Sequence, residues 1–182
     1  MITPPVDKPN FPTQVEIKVD AKVDESGKVS VNITDKTIND AYNKALADAK
    51  KEGNDTHGIT LVLNVKTGRK TGRKTANRLT VNLPRTVQDT IISKKIVNTV
   101  VVVDNPDIKI NMDLATVKEI NKQAQSDVKV TAAKQDNSKL TGSAKTAIGK
   151  RPVFDLKINY GSGKQVTSFG AGSVIQLLRM PM

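Results

Sequence analysis

Nine basic residues and a single acid, Asp89, fall between Lys66 and Lys95. The bases are Lys66, Arg69, Lys70, Arg73, Lys74, Arg78, Arg85, Lys94 and Lys95, and their net of +8 is most of the chain's formal +11. At the centre stands a tandem repeat, Thr67-Gly-Arg-Lys followed by Thr71-Gly-Arg-Lys. Clustered Lys and Arg on a glycine-punctuated loop attract polyanions through charge alone. The residues expected to make such contact are Lys66, Arg69, Lys70, Arg73, Lys74 and Arg78. Three uses are open to this loop: a solvated hairpin tip, contact with an anionic wall polymer, or contact with nucleic acid. Single-strand nucleic acid is usually gripped by stacking aromatics as well as charge, and the loop has none.

Gly68-Arg-Lys-Thr-Gly-Arg-Lys-Thr75 resembles a phosphate-binding loop only on the surface. That motif needs four residues between its glycine and its Gly-Lys-Ser/Thr, then a helix whose N-terminus faces the phosphate. Here the spacing is wrong, an arginine intervenes, and a strand follows. His57 is the only histidine and cysteine is absent, so neither thiolate chemistry nor a Cys/His metal site is available. His57 lies in Asn54-Asp-Thr-His-Gly58, which reads as a solvated turn. Asp104, Asp107 and Asp113 bracket a turn and a helix cap. Calcium at Asp104 and Asp107 is conceivable, but the EF-hand pattern is missing. Glycosidases place two carboxyls about 5–9 Å apart across a cleft, and no pair here is so placed by sequence. The expectation is a protein that is not an enzyme and has no cofactor.

The elements that position these residues follow from composition and periodicity. The 182 residues suffice for one domain with a core, whose 37% apolar content is drawn from Val, Ile, Leu and Ala, with 3% aromatic. No apolar run is long enough to cross a membrane. Met1-Ile-Thr-Pro-Pro-Val has neither the charged nor the apolar region of a signal peptide. The chain is therefore expected to be cytosolic or a piece of a longer exported protein. Residues 1–13, with Pro4, Pro5, Pro9 and Pro12, read as an extended linker, 14–178 as one module, and 179–182 as a tail.

Val15, Ile17, Val19 and Ala21 alternate, predicting a strand over 14–21, with a turn at 24–28 and a second strand over 28–33. Ile38, Ala41, Tyr42, Ala45, Leu46 and Ala49 recur at helical spacing after a Thr34 or Asp35 cap, and Gly53 stops the helix. Strands follow at 59–65 and 79–83, read as a hairpin with the basic loop at its tip. A short helix runs from Pro84 through Ser93 with Val87, Ile91 and Ile92 inward. The pattern recurs as strands at 99–103 and 108–112 and a helix capped by Asp113, with Leu114, Val117, Ile120 and Ala124 on one face. Two successive strand–turn–strand–helix units, 59–95 and 99–125, are thus expected. Beyond them lie a strand at 128–132, a short helix at 143–148, a hairpin (153–160 and 165–169) turning at Gly161-Ser-Gly163, and a last strand at 173–178. Phe154, Leu156, Ile158 and Tyr160 share a face and are expected in the core, as is Tyr42, leaving Phe11 and Phe169 loose. Sugar-binding aromatics are therefore scarce. The predicted class is α+β: a mixed, mainly antiparallel sheet with helices packed on it.

Val29-Ser-Val-Asn-Ile-Thr-Asp-Lys-Thr-Ile-Asn-Asp-Ala41, Leu79-Thr-Val-Asn-Leu-Pro-Arg-Thr86, Arg151-Pro-Val-Phe-Asp155 and Ser168-Phe-Gly170 together resemble a non-catalytic module of Gram-positive cell-surface proteins. In those proteins it lies upstream of S-layer homology repeats. The likeness covers about residues 15–174, and Val174-Ile-Gln-Leu-Leu-Arg-Met-Pro-Met182 departs from the family pattern. The resemblance implies an extracellular, cell-wall or S-layer associated spacer or presentation module whose neighbours are other domains of a longer chain. It implies no catalytic residues. The alternative is a binding module for cell-wall glycan or an adhesion partner, and a cytosolic nucleic-acid binder is the weakest reading.

Overall fold

The first turn of the longest helix shows how local sequence is converted into structure. Thr34 is extended (φ −110°, ψ 157°) and its hydroxyl accepts from the backbone N–H of Thr37 at 3.1 Å. This satisfies one of the donors that a helix start leaves unpaired. Helix α1 then spans Asp35–Glu52 and ends at Gly53, whose φ of 65° lets its N–H turn back to the carbonyls of Ala49 and Lys50. Ile38, Ala41, Ala45 and Ala49 are buried along one stripe, with Tyr42 and Leu46 at its margins.

This computed structural model describes residues 12–21, 23–54, 57–67, 76–103, 108–149, 153–172 and 174–178. The strands are β1 (Thr13–Ala21), β2 (Lys28–Asn32), β3 (Ile59–Thr67), β4 (Arg78–Leu83), β5 (Asn98–Val103), β6 (Ile108–Asp113), β7 (Val128–Lys134), β8 (Phe154–Tyr160), β9 (Lys164–Gln165) and β10 (Val174–Leu178). The remaining helices are α2 (Arg85–Ser93), α3 (Leu114–Ala124) and α4 (Gly142–Ile148), with a 3-10 turn at Asn137–Lys139. The class is α+β as expected, but there are two mixed sheets. The first has the order β1-β3-β5-β6-β10 and the second β2-β4-β7-β8-β9. Most of the linker, Phe11, residues 68–75, the Asp104–Asp107 turn and the tail lie outside the described residues.

The hairpin expected of β3 and β4 is corrected. β3 pairs in parallel with β1 and β5, whereas β4 pairs in parallel with β2 and antiparallel with β7. The chain crosses from one sheet to the other between Thr67 and Arg78, as it does between Ala21 and Lys28. The repeating unit is therefore strand (first sheet), strand (second sheet), helix, over 13–52 and again over 59–93. The strand–turn–strand–helix unit expected over 99–125 is present as β5, β6 and α3, but it does not repeat 59–95, because β5 and β6 both lie in the first sheet as an antiparallel pair.

The second strands of the two units lie side by side in register, Val29-Ser-Val-Asn32 against Leu79-Thr-Val-Asn82. Alternation buries one face of each strand, Leu61, Leu63 and Val65 in β3 and Leu79, Val81 and Leu83 in β4. A single apolar cluster joins Val15, Leu63, Val101 and Ile110 of the first sheet to Val31, Val81, Val130 and Ile158 of the second. Ile38, Ile91 and Ile120 from the three long helices complete it. Each such side chain contributes roughly 1.5–3 kcal/mol through burial. Phe154, Leu156 and Tyr160 pack against this core as expected; Phe169, expected to be loose, packs against it too. β10 forms the far edge of the first sheet beside β6.

Candidate functional site

The structure brings the two ends of the basic segment to a defined place. Lys66 is exposed near the end of β3, opposite Asp20 of β1, and Arg78 is exposed at the start of β4, opposite Lys28 of β2 and Ala133 of β7. Arg69, Lys70, Arg73 and Lys74 lie between them, outside the described residues. The return into β4 is held firmly. Ala76 is buried, and the N–H of Asn77 donates to the Gly27 carbonyl at 2.9 Å. The Asn77 amide donates to the Ser26 carbonyl at 2.9 Å, and the Asn77 carbonyl accepts from Lys134 N–H at 2.8 Å. The crossing is thus stitched to the equivalent crossing of the first unit.

Register exposes a feature that the sequence alone hid. β1 and β3 pair at an offset of 46 residues, Thr13 with Ile59, whereas β2 and β4 pair at an offset of 50, Lys28 with Arg78. The second crossing is longer by four residues, the length of one Thr-Gly-Arg-Lys copy. A connection of the first unit's length suffices to join the two sheets, so the extra copy adds charge beyond what closure requires.

Beside this crossing, Lys28, Asn77, Arg78, Lys134 and Asp136 line an open depression of about 430 Å³. Two acids, Asp24 and Asp136, stand beside its cations, each tied into its own turn. Asp24 holds the turn between β1 and β2, accepting from Lys28 N–H (2.9 Å), Ser26 N–H (2.8 Å) and the Ser26 hydroxyl (2.7 Å). Those donors, the Lys28 amide foremost, hold its carboxyl below the usual aspartate value. The Ser138 hydroxyl and amide do the same for Asp136.

A second concavity of about 740 Å³ lies at the other end of the second sheet, where β2 and β4 lead into α1 and α2. Leu83 and Val87 are among its apolar residues, and Asn32, Asn82, Asn159, Asp127 and Tyr160 supply polar atoms. Asn32 and Asn82 occupy matching positions of the two units, and the Asn82 amide donates to the Asn32 side-chain oxygen at 2.5 Å. Pro84 leaves α2 without a side-chain cap of its own, and Asp127 takes that role, accepting from Arg85 N–H at 2.9 Å. Sequence reasoning missed this groove, although the repeated Val-Asn before each helix was its visible signal.

His57 is half-buried rather than fully solvated, and its N–H donates to the Asn54 carbonyl at 3.3 Å. Asp113 caps α3 as expected, accepting from Thr116 N–H at 2.8 Å. Among the described residues no three His, Cys, Asp or Glu side chains gather as a metal site, and no helix is long and apolar enough to cross a membrane. No family model, curated protein or solved structure matches the chain.

Proposed function

We propose that this protein is a non-catalytic spacer or presentation module of an exported bacterial surface protein. Its basic crossing between the sheets rests on anionic cell-wall polymer. The observation that carries the reading is the crossing between Thr67 and Arg78, four residues longer than its counterpart and carrying both Thr-Gly-Arg-Lys copies. Such a contact is electrostatic, salt-dependent and indifferent to polymer sequence. The assignment to a surface protein, outside the cell and associated with the wall or an S-layer, rests on the resemblance in residues 29–41, 79–86, 151–155 and 168–170. The test is retention on isolated Gram-positive walls of the whole chain and of a variant with Arg69, Lys70, Arg73 and Lys74 all changed to Ser. The variant is expected to wash through; equal retention of both removes the loop's role.

The polar groove favours a second reading, a binding module for neutral wall glycan or an adhesion partner. Amides and an aromatic edge over an apolar floor suit sugar hydroxyls. Glycan binding that survives high salt and is lost on Asn159→Ala supports it. Binding that collapses with salt assigns the contact to the basic crossing instead.

A further inference from the structure

The two outermost strands of the first sheet have a directional relationship that bears on what a spacer must withstand. β1, β3 and β5 are parallel, β6 reverses, and β10 reverses again, so β10 runs in the same direction as β1. The chain enters the sheet at Thr13, at the end where β3 and β5 begin. It leaves at Leu178, at the end where β5 finishes and β6 begins. A pull between the two sides of the chain is therefore directed along both edge strands, in opposite senses.

We infer that the first sheet is a shear clamp, a device that resists tension passed through the chain from one neighbouring domain to the next. It rests on the spacer reading for the source of the tension, and its geometry stands apart from the basic crossing. Ladder hydrogen bonds lie across the strands. Tension along a strand loads them together, whereas tension across a strand end opens them one at a time.

The β1–β3 seam holds nine consecutive register pairs, from Thr13–Ile59 to Ala21–Thr67, and β6–β10 holds five. The point where the pull enters is the best secured. Thr13 is 4% exposed, its N–H donates to the Gly58 carbonyl at 3.1 Å, and its hydroxyl accepts from the buried Asn54 amide at 3.0 Å. Asn54 directly follows the α1 stop at Gly53, so the first strand is tied to the helix that covers it. Farther along, Glu16 of β1 accepts from the Asn64 amide of β3 at 2.9 Å, a second stitch across the same seam.

Resistance to force is governed by the unfolding rate along the pulling direction and not by equilibrium stability. One chain pulled two ways therefore separates the clamp from mere stability. The cysteine-free sequence allows a unique attachment point. Glu25 is exposed in the turn after β1, at the end of the sheet where β10 finishes. In single-molecule force spectroscopy, the full chain held by its two termini is expected to unfold at several-fold higher force than the Glu25→Cys chain held by its introduced thiol and the C-terminus. The second geometry places both attachments at the same end of the first sheet, so β10 is opened from its end and β1 is no longer pulled from Thr13. Equal forces in the two geometries, or a higher force in the second, overturn the clamp. The measurement uses no wall polymer, so its outcome is independent of retention on walls.

Discussion

Gly172 stands against the first turn of α3 so closely that any side chain there must displace backbone. A Cβ on Gly172 falls 2.7 Å from Thr116 Cα and closer still to the Thr116 amide nitrogen and hydroxyl oxygen. Thr116 is fully buried, and its N–H is the one that Asp113 accepts to cap α3. Gly172→Ala therefore forces either the cap or the 170–172 turn to move. Overpacking costs about 1–3 kcal/mol and loss of a cap about 1 kcal/mol, so the expected destabilisation is roughly 2–4 kcal/mol. For a chain of this size each kcal/mol lowers Tm by about 2–4 °C, which places the variant's midpoint roughly 5–15 °C below the parent's. Calorimetry reads the shift. Gly161→Ala is the control: it has φ 51° but nothing within 4 Å of the added carbon. It should cost only the left-handed backbone penalty, about 1–2 kcal/mol. A Gly172→Ala midpoint equal to the parent's refutes the close approach of this turn to α3.

Three further outcomes follow from particular contacts. Gln88 is fully buried, and its amide donates to the carbonyls of Leu83 and Ser126, both at 3.0 Å. Gln88→Leu strands both acceptors and should lower urea-unfolding stability by about 2–6 kcal/mol, at roughly 1–3 kcal/mol per unpaired group; an unchanged midpoint contradicts the pairing. Asp127→Ala removes the only side-chain cap the described structure gives α2 and should cost about 1 kcal/mol, with Asp127→Asn nearer the parent. Asp24 has a folded-state pKa below its ordinary 3.8, held there first by the Lys28 amide. Its stabilising contribution is complete above the ordinary value and is lost as pH falls through the folded one. Thermal melts of Asp24→Asn should therefore lose less stability than the parent between pH 4 and strongly acid conditions; parallel curves contradict the assignment.

The elements of this fold are legible in the sequence wherever a short-range period or cap decides them. The α1 stripe from Ile38 to Ala49, the Thr34 and Asp113 caps and the Gly53 stop are each settled within a few residues. Strand pairing is not settled locally. Alternation in Ile59–Val65 says which side chains face inward, and it says nothing about whether the partner is Leu79 or Thr13. The glycine-rich loop matched a hairpin tip well enough to suggest the wrong partner, and the same ambiguity concealed the second sheet. Gln88 was overlooked because it is polar, although it sits beside Val87 and three residues before Ile91 on the inward side of α2. The groove required two strands 50 residues apart to be set side by side. The charge of the basic crossing, by contrast, was plain in the sequence. What the structure adds is its anchorage at Asn77 and the four-residue excess over its counterpart.

The proposed role of the tandem repeat is an electrostatic contact with wall polyanion. Retention of the whole chain on isolated Gram-positive walls, followed from about 50 to about 500 mM salt, tests it over the range where surface charges become strongly screened. Strong retention at the low end that collapses towards the high end is expected. Retention that is flat across the series contradicts it.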